Sequence, residues 1–253
     1  MKETVLVVGM ARSGVALAQL LCAQGKTARL NDRKTHEELK EALSPLEGLS
    51  GIEYRLGEAP ETLLEGVSLV VVSPGVPLTN PVFAQAAARG IPVVGELELS
   101  FRAASGCLIA ITGTNGKTTT TTLVGEIFKN AGKRVHVVGN IGTPYATAVL
   151  DMRPEDVTVL EVSSFQLETV ADFRPQVSAI LNITEDHLNR HHTMENYAAT
   201  KARIFENQKD DDVTVLNYDD PRLRAMEKDA PCRLCWFSRT QIPPMGAFVE
   251  DGW

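Results

Sequence analysis

The sequence predicts an α/β protein built on two parallel sheets. Short, nearly continuous apolar segments alternate with helix-like segments along almost the whole chain. Two of the apolar segments run directly into glycine-containing turns, Gly9–Gly14 and Gly113–Gly116, and a helix-like sequence follows each turn. Apolar strands separated by helices are typical of parallel sheets that are covered on both faces.

The first half of the chain alternates strands and helices. Strands are expected at Thr4–Val8, Thr27–Asn31, Ile52–Leu56, Val67–Ser73 and Pro92–Gly95. A helix should follow Gly9 and end near Ala23, and the capping-box pair Thr35 and Glu38 predicts a second helix. Asn80-Pro81 predicts the start of a third helix, which should end at Gly90.

The second half repeats this alternation. Strands are expected at Cys107–Thr112, Arg134–Val138, Val157–Val162, Val177–Asn182, Val213–Asn217 and Cys232–Phe237. A boundary near Ala103–Gly106 divides the chain into predicted domains of residues 1–104 and 105–253. After Ser238 the chain resembles a loop that enters a new strand, so either the second domain closes there or the chain is a fragment.

Bulk composition excludes several classes of protein. The 253 residues, 43% hydrophobic and 23% charged, are ordinary for one large or two modest globular domains. A net charge of −7 argues against general binding of DNA or RNA, which needs a basic surface. We find no signal-peptide pattern and no apolar run of membrane-spanning length, and four cysteines do not suggest a disulfide scaffold. We therefore expect a cytoplasmic protein without membrane insertion.

The most informative segment is Thr112-Gly-Thr-Asn-Gly-Lys-Thr118, where an apolar strand enters a glycine-rich turn and then a helix. Such a turn directs backbone N–H groups and the helix dipole at an anion, while a lysine and a hydroxyl add charge and a ligand for Mg²⁺. The pattern departs from the usual phosphate loop, since Ile111 stands where the first glycine would be. The alternative is an ordinary glycine-rich loop. We predict contacts to ATP from Gly113, Thr114, Asn115, Gly116, Lys117, Thr118 and Thr119.

An acidic residue and a histidine follow two further strands of the second domain. Glu161 ends the strand that begins at Val157, and with Thr118 it could hold Mg²⁺, although a glutamate there is more often a surface residue. His187 can ligate a metal or pair with a carboxylate. His187 and His191 have zinc-like spacing, but the glutamate of a zinc hydrolase is missing between them. We expect His191 and His192 to be solvated.

Two other features of the sequence, a lysine and a pair of cysteines, do not by themselves indicate a functional site. Lys201 lies in a predicted helix and, from sequence alone, is a surface lysine. Cys232-x-x-Cys235 has no second cysteine pair, and a strand would place its two thiols on opposite faces, which argues against a metal or redox site.

The N-terminal domain carries its own candidate nucleotide or anion site. Gly9-Met-Ala-Arg-Ser-Gly14 stands in the position of a dinucleotide fingerprint, with Ala11 in place of the second glycine, and Asp32 follows the next strand. Ser73-Pro-Gly-Val-Pro77 ends a later strand at the same edge of the sheet and could complete the site. The alternative is a tight turn without a ligand.

Four motifs together resemble a known family. Thr112–Thr118, Gly139-Asn-Ile-Gly142, Leu160-Glu-Val-Ser-Ser-Phe-Gln-Leu-Glu168 and Asn182-Ile-Thr-Glu-Asp-His187 are similar, in this order, to motifs of the Mur ligases of bacterial peptidoglycan synthesis. The third motif is similar to that of the members that add D-glutamate. The resemblance covers essentially the whole chain and implies a Rossmann-like UDP-binding domain, a P-loop-type ATPase domain that is incomplete here, and an absent C-terminal domain.

The resemblance also implies roles for individual residues. It assigns UDP contacts to Arg12, Ser13, Asp32, Arg33, Ser73 and Gly75, and contacts to the muramoyl substrate to Asn140, Ser163 and Gln166. Thr118 and Glu161 would hold one Mg²⁺ and His187 a second. Lys201 matches the family lysine that CO₂ carbamylates. Lys117, His187 and Lys201 would be the catalytic residues.

The implied reaction is ATP-dependent ligation of D-glutamate to UDP-N-acetylmuramoyl-L-alanine through an acyl phosphate. The intact enzyme is expected to be a monomer, and this chain alone is expected to be inactive because D-glutamate contacts lie in the absent domain. Three alternatives stay open: another acid–amino acid ligase, such as the diamino-acid-adding member or a folylpolyglutamate synthase; a fragment that only binds UDP-sugar or nucleotide; and a dinucleotide-dependent oxidoreductase. The N-terminal domain argues against the folylpolyglutamate synthase.

Overall fold

The structure is a computed structural model that describes residues 2–250, and the chain forms two compact units. The first unit contains the chain up to Ala104 together with Pro144–Asp151 and Thr169–Ala171. The second contains Ser105–Thr143, Met152–Glu168 and the chain from Asp172 onward. The division into domains 1–104 and 105–253 stays a prediction.

The first unit is built on a five-stranded parallel sheet. Its strands are β1 (Thr4–Val8), β2 (Thr27–Asn31), β3 (Ile52–Tyr54), β4 (Val67–Val72) and β5 (Val93–Gly95). The spatial order β3-β2-β1-β4-β5 is that of a Rossmann-type half. The order in which the strands are added reverses between β1 and β4, although the two strands run parallel. Ligands of such sheets bind in the crevice at the carboxyl ends of those two strands.

Helices cover this first sheet. They are α1 (Arg12–Ala23), α2 (Lys40–Leu43), α3 (Pro81–Ala88) and α4 (Glu96–Ala103). The predicted start of α3 is confirmed, because the Asn80 side chain accepts the N–H of Val82. Leu6, Val70 and Val72 contribute to a hydrophobic core beneath α3 that also includes Val82.

The second unit has a seven-stranded sheet whose strands all run parallel. Its strands are β6 (Cys107–Thr112), β7 (Val135–Gly139), β8 (Val157–Glu161), β9 (Val177–Ile180), β10 (Val213–Asn217), β11 (Arg233–Ser238) and β12 (Gly246–Phe248). The order is β12-β11-β10-β9-β6-β8-β7. The α/β class with two parallel sheets is thus confirmed, and β12 is the strand expected after Ser238.

The remaining helices follow these strands. They are α5 (Lys117–Asn130), α6 (Tyr145–Val149), α7 (Ser164–Leu167), α8 (Leu188–His191), α9 (Met194–Ala202) and α10 (Pro221–Ala225). The helix α6 packs against α1 and α4 in the first unit. Within the described residues no helix is long and apolar enough to cross a membrane. Val124 and Phe128 of α5 pack over Ile111 and Val159, which fixes the start of α5 above the end of β6.

Two helices differ from the sequence prediction. The capping box forms, since the N–H of Thr35 donates to Glu38 Oε2 over 2.8 Å, but the helix begins only at Lys40. Just six residues separate Glu38 from Pro45, so there is room for little more than one turn. The helix α4 was not predicted; Glu96 and Glu98 in its first turn were a usable signal.

The close packing of α5 against β7 yields a first prediction. A Cβ on Gly125 would lie 2.4 Å from Val137 Cγ2. Although alanine favours a helix over glycine, Gly125→Ala should therefore lower the free energy of unfolding by about 1–3 kcal/mol. Urea unfolding followed by Trp236 fluorescence, in a Trp253→Phe background, measures the effect.

Two further variants test the cause of that loss. The double variant Gly125→Ala/Val137→Ala should be nearly as stable as the single variant Val137→Ala. The reason is that Val137→Ala removes the methyl groups with which the new Cβ would clash. The exposed Thr122→Ala on the same helix should change stability by less than about 0.5 kcal/mol. A Gly125→Ala protein as stable as the wild type would contradict this account of the packing.

Candidate functional site

The turn between β6 and α5 has the backbone geometry of an anion site. Gly116 is the N-cap of α5 with φ of +82°, and Gly113 has φ of +155°. Both conformations favour glycine, and a Cβ on Gly113 would also lie 3.1 Å from Leu181 Cβ. No side chain caps α5. The first N–H groups of a helix have no intrahelical partner, so those at the start of α5 are available to an anion.

Lys117 is folded onto this turn. Its Nζ donates to Gly113 O over 3.0 Å and to Thr114 O over 2.8 Å. The ammonium group is half-buried and lies beside the helix start. A positive charge and free N–H groups therefore share one side of the turn.

A buried carboxylate lies next to the first turn of α5. Glu161 ends β8, is 2% exposed, and accepts hydrogen bonds from Thr118 Oγ1 over 2.8 Å and Asn140 Nδ2 over 3.0 Å. Among the residues that the structure describes, no lysine, arginine or histidine forms an ion pair with it. A buried charge needs a compensating partner. A divalent cation bound by Thr118 and Glu161 would supply it.

The donor set at this point fits Mg²⁺. A carboxylate and a hydroxyl are hard oxygen ligands, and Mg²⁺ in nucleotide sites takes only one or two protein ligands besides water and phosphate oxygens. Residues 2–250 contain no group of three or more His, Cys, Asp or Glu side chains suited to a metal. Cys232 and Cys235 are free thiols.

His187 makes its contacts with residues other than Thr118 and Glu161. It precedes α8 with φ of +52°, packs against Phe165 with 4.9 Å between ring centroids, and lies 3.4 Å from a carboxylate oxygen of Asp186. No hydrogen bond in the described part of the chain joins it to Thr118 or Glu161. Its metal role stays a proposal.

Lys201 is buried beneath the turn, which corrects the expectation of a surface lysine. It is 1% exposed, and its Nζ donates to Gly113 O over 2.8 Å and lies 4.7 Å from the centre of the Tyr197 ring. Burial, followed by the charge of Lys117, lowers the pKa of Lys201 to about 7. Sequence alone missed this because α9 mixes alanines with polar residues and shows no clear apolar face.

His191 is also buried, so the expectation that it is solvated is wrong. It is 5% exposed, its Nε2 lies 3.0 Å from Ser164 Oγ, and its ring packs 5.1 Å from that of Tyr197. Burial lowers the pKa of His191, against the opposing effect of the Glu168 carboxylate. His192 is exposed, as expected.

Ser163 and Gln166 form the capping box of α7. Gln166 Oε1 accepts from the N–H and the hydroxyl of Ser163, over 2.9 and 3.0 Å, and Ser163 Oγ accepts the N–H of Gln166. These bonds fix the two side chains to each other, just after the end of β8. Their predicted contacts with a substrate stay a proposal, as does that of Asn140.

The first unit has a cleft of about 560 Å³ at the carboxyl ends of β1 and β4. Its lining includes five of the residues assigned to UDP, namely Ser13, Asp32, Arg33, Ser73 and Gly75. Arg12, the first residue of α1, is not among the lining residues. Ser73 Oγ donates to Gly9 O over 2.7 Å, which joins the two loops that form the cleft.

The turn after β1 is fixed by close packing. A Cβ on Gly14 would lie 2.0 Å from Gly9 O, so the last glycine of the fingerprint is required for the helix to approach the strand. Asp32 Oδ2 accepts the N–H of Met10 over 2.7 Å, and Oδ1 accepts the N–H of Lys34. The carboxylate is thus engaged by the backbone of the two turns.

The fold and the two candidate sites define a class of protein: a two-unit α/β protein with a Rossmann-type cleft in one unit and, in the other, a glycine-rich turn beside a buried carboxylate. Comparison with known protein families assigns both parts of the chain to one family. The profile of the Mur ligase middle domain matches residues 111–242, and that of the MurD-like N-terminal domain of Mur ligases matches residues 3–95. The chain belongs to the Mur ligase family.

Curated relatives extend this similarity. The chain is 53% identical to the UDP-N-acetylmuramoylalanine–D-glutamate ligase of Alkaliphilus oremlandii, over 99% of this chain and 56% of the relative. It is 48% identical to the enzyme of the same name from Caldanaerobacter subterraneus subsp. tengcongensis, again over 99% and 56% of the two chains. The chain thus spans about half the length of the curated relatives it matches.

Solved structures share the fold. The UDP-N-acetylmuramate:L-alanyl-γ-D-glutamyl-meso-diaminopimelate ligase of Neisseria meningitides superposes with a TM-score of 0.63 at 16% identity, over 96% of this chain and 82% of that one. The UDP-N-acetylmuramate–alanine ligase of Thermotoga maritima gives 0.54 at 20% identity, over 95% and 53%.

The burial of Lys201 predicts a pH dependence of stability. Its pKa is about 7 in the folded chain against an ordinary 10.5. Between these pH values the unfolded chain binds a proton that the folded chain lacks, so Lys201 makes stability rise with pH from about 7 to about 10.5. Over this pH range, the free energy of unfolding of the wild type should rise relative to that of Lys201→Met by on the order of a few kcal/mol.

Urea unfolding in CO₂-free buffers at several pH values measures this difference. Lys133→Met, at an exposed lysine, is the matched control and should parallel the wild type at every pH. Parallel curves for Lys201→Met and wild type would show that Lys201 titrates normally.

Proposed function

We propose that this chain is the nucleotide- and UDP-binding part of an enzyme that ligates D-glutamate to UDP-N-acetylmuramoyl-L-alanine with hydrolysis of ATP to ADP and phosphate. The observation that carries the proposal is the Thr118–Glu161 pair under a phosphate-binding turn. It occurs in a chain that is 53% identical to a relative named for this reaction. Because the reaction would use ATP and a UDP-linked substrate, we place it in the cytoplasm, and we propose that the enzyme acts as a monomer.

The proposed chemistry has two steps. A carboxylate resists attack by an amine, since its charge is delocalised and oxide is a very poor leaving group. An oxygen of the lactoyl-L-alanine carboxylate would attack the γ-phosphorus of ATP and release ADP, which gives an acyl phosphate. The D-glutamate amine would then attack the acyl carbon, lose a proton and expel inorganic phosphate, which leaves the new amide.

The second unit would bind the ATP phosphates. The unpaired N–H groups at the start of α5, from Gly116 to Thr119, support this role together with Lys117. Lys117 would have to leave the carbonyl oxygens of Gly113 and Thr114 to reach a phosphate. Positioning and charge neutralisation supply most of the catalysis in phosphoryl transfer.

The cation site would lie beside these phosphates. Bound Mg²⁺ would neutralise charge on the transferring phosphoryl group. Thr118 and Glu161 would hold one ion, and His187 a second. The uncompensated burial of Glu161 supports the first of these sites.

Lys201 is the proposed site of carbamylation. At a pKa of about 7, part of the lysine is a neutral amine at neutral pH. Its Nζ lone pair could attack the carbon of CO₂ and lose a proton, which would replace a cation by a carbamate anion. An anion there would remove the repulsion from Lys117 and could support a second cation.

The UDP moiety would lie in the cleft of the first unit. Its size, its place at the β1–β4 crossover and the residues Ser13, Arg33 and Ser73 in its lining support this assignment. Asn140, Ser163 and Gln166 would contact the muramoyl part. Since the chain spans about half of its relatives, a second candidate is a chain that binds UDP-sugar and ATP without turnover by itself.

The phosphate role of Lys117 gives a direct prediction. In a polypeptide continued to the full length of its relatives, Lys117→Ala should lower the rate of ADP formation by at least about 100-fold, because transition-state charge loses its compensation. Lys129→Ala, on the same helix but paired with Glu126 at the surface, is the control and should keep wild-type activity. An unchanged rate for Lys117→Ala would exclude the proposed ATP site.

The cleft gives a second prediction. UDP at about 100 times its Kd should stabilise the chain by about 2.7 kcal/mol and raise its melting temperature, whereas NAD⁺ and NADH should not. Arg33→Ala should reduce the shift, while Arg55→Ala, at an arginine outside the cleft lining, should not. A shift with NAD⁺ or NADH and none with UDP would favour the oxidoreductase alternative.

A further inference from the structure

Asn182 lies where β9 ends beside β6, and its side chain is directed at the phosphate-binding turn. Asn182 Oδ1 accepts the N–H of Asn115 over 2.9 Å and that of Thr114 over 3.2 Å. Its Nδ2 donates to Asn115 O over 3.0 Å. The backbone O of Asn182 also accepts the N–H of Thr114, over 3.0 Å. One side chain thus bonds the backbone of two successive residues of the turn, Thr114 and Asn115.

These bonds decide which N–H groups of the turn a ligand can use. The N–H groups of Thr114 and Asn115 already have protein acceptors, so they are not available to phosphate. Those from Gly116 to Thr119 follow directly and have no intrahelical partner. Asn115 therefore belongs to the support of the turn, and its N–H is not a free anion donor.

A second set of bonds is made by the side chain of Thr114. The N–H of Thr184 donates to Thr114 Oγ1 over 3.0 Å, and that hydroxyl lies 3.2 Å from Thr184 O. Gly113 fits closely against Leu181, the residue before Asn182. The chain after β9 therefore forms a template for the turn, in which the Asn182 side chain makes three hydrogen bonds.

We propose that Asn182 is a positioning residue for nucleotide binding: its amide holds the peptide units at Thr114 and Asn115 so that the N–H groups from Gly116 to Thr119 converge on the nucleotide phosphates. The inference rests on the proposed function. Its physical basis is preorganisation, since a turn that is ordered before binding loses less entropy when the ligand arrives. Asparagine suits the position because one group must both accept and donate.

A merely structural role at the sheet edge is the competing explanation, and a neighbouring residue separates the two. Asn217, at the end of β10, donates from Nδ2 to Leu181 O over 3.1 Å and accepts the N–H of Asp219 over 3.0 Å. It fastens the end of β9 without contacting the turn. Asn217→Leu is therefore the matched control for Asn182→Leu.

The experiment measures the Kd of the Mg²⁺ complex of the non-hydrolysable analogue AMP-PNP by calorimetry on the 253-residue chain. We expect Asn182→Leu to weaken binding by about tenfold or more, from the loss of the ordering hydrogen bonds. Asn217→Leu should bind like the wild type. UDP binding by the first unit and the melting temperature report whether each variant is folded, and the smaller Asn182→Ser replaces Asn182→Leu if that variant is not.

Hydrogen exchange adds a readout that a general loss of stability would not move. Amides of Thr114 and Asn115 should exchange faster in Asn182→Leu while those of β6 keep their protection. In Asn182→Asp the acceptor oxygens remain, so the two amides should stay protected while the added negative charge still weakens AMP-PNP binding.

The outcomes are distinguishable. If the wild type binds Mg·AMP-PNP and Asn182→Leu binds it equally well, the inference is overturned and the proposed function stands. If Asn217→Leu loses as much affinity as Asn182→Leu, the effect is structural and the inference is again overturned. If the wild type itself does not bind Mg·AMP-PNP, the nucleotide site of the proposed function fails, and the role of Asn182 fails with it.

Discussion

The hydrogen bond of 2.8 Å between Thr118 Oγ1 and Glu161 Oε2 joins the parts of the second unit on which the proposed nucleotide binding depends. Thr118 is in the first turn of the helix after β6, and Glu161 ends β8, which pairs with β6 in parallel register. Because neighbouring parallel strands end at the same edge of the sheet, the turn and the carboxylate meet without any contribution from distant loops. Asn182 reaches the same edge from β9, on the other side of β6.

Within residues 2–250, no ion pair engages the charged groups at this edge. The amino groups of Lys117 and Lys201 both donate to Gly113 O, while the buried carboxylate of Glu161 accepts from Thr118 and Asn140, which are neutral donors. Like charges that share an acceptor destabilise each other, and a buried anion without a cation is costly. A polyphosphate with a divalent cation has the complementary charges: its oxygens suit the lysine and the N–H groups, and its metal suits the carboxylate.

The sequence predicted the parts that depend on local pattern. Strand positions agree within about two residues because the apolar runs of buried parallel strands are unambiguous. Patterns failed where buried polar groups are satisfied by residues distant in sequence. Glu96 and Glu98 of α4 are buried and accept the N–H groups of Ala146 and Ala171, so the buried residues of this helix are not all apolar. Lys201 and Asn182 likewise depend on contacts with a turn about 70 to 90 residues away.

A crystal structure of this chain with Mg·AMP-PNP tests the central claim most directly. We predict that the β- and γ-phosphates lie against the N–H groups from Gly116 to Thr119, with Lys117 turned toward them. The metal ion should be bound by Thr118 Oγ1 and Glu161. Density for the nucleotide elsewhere, with the turn empty and the Thr118–Glu161 hydrogen bond unchanged, would contradict the account.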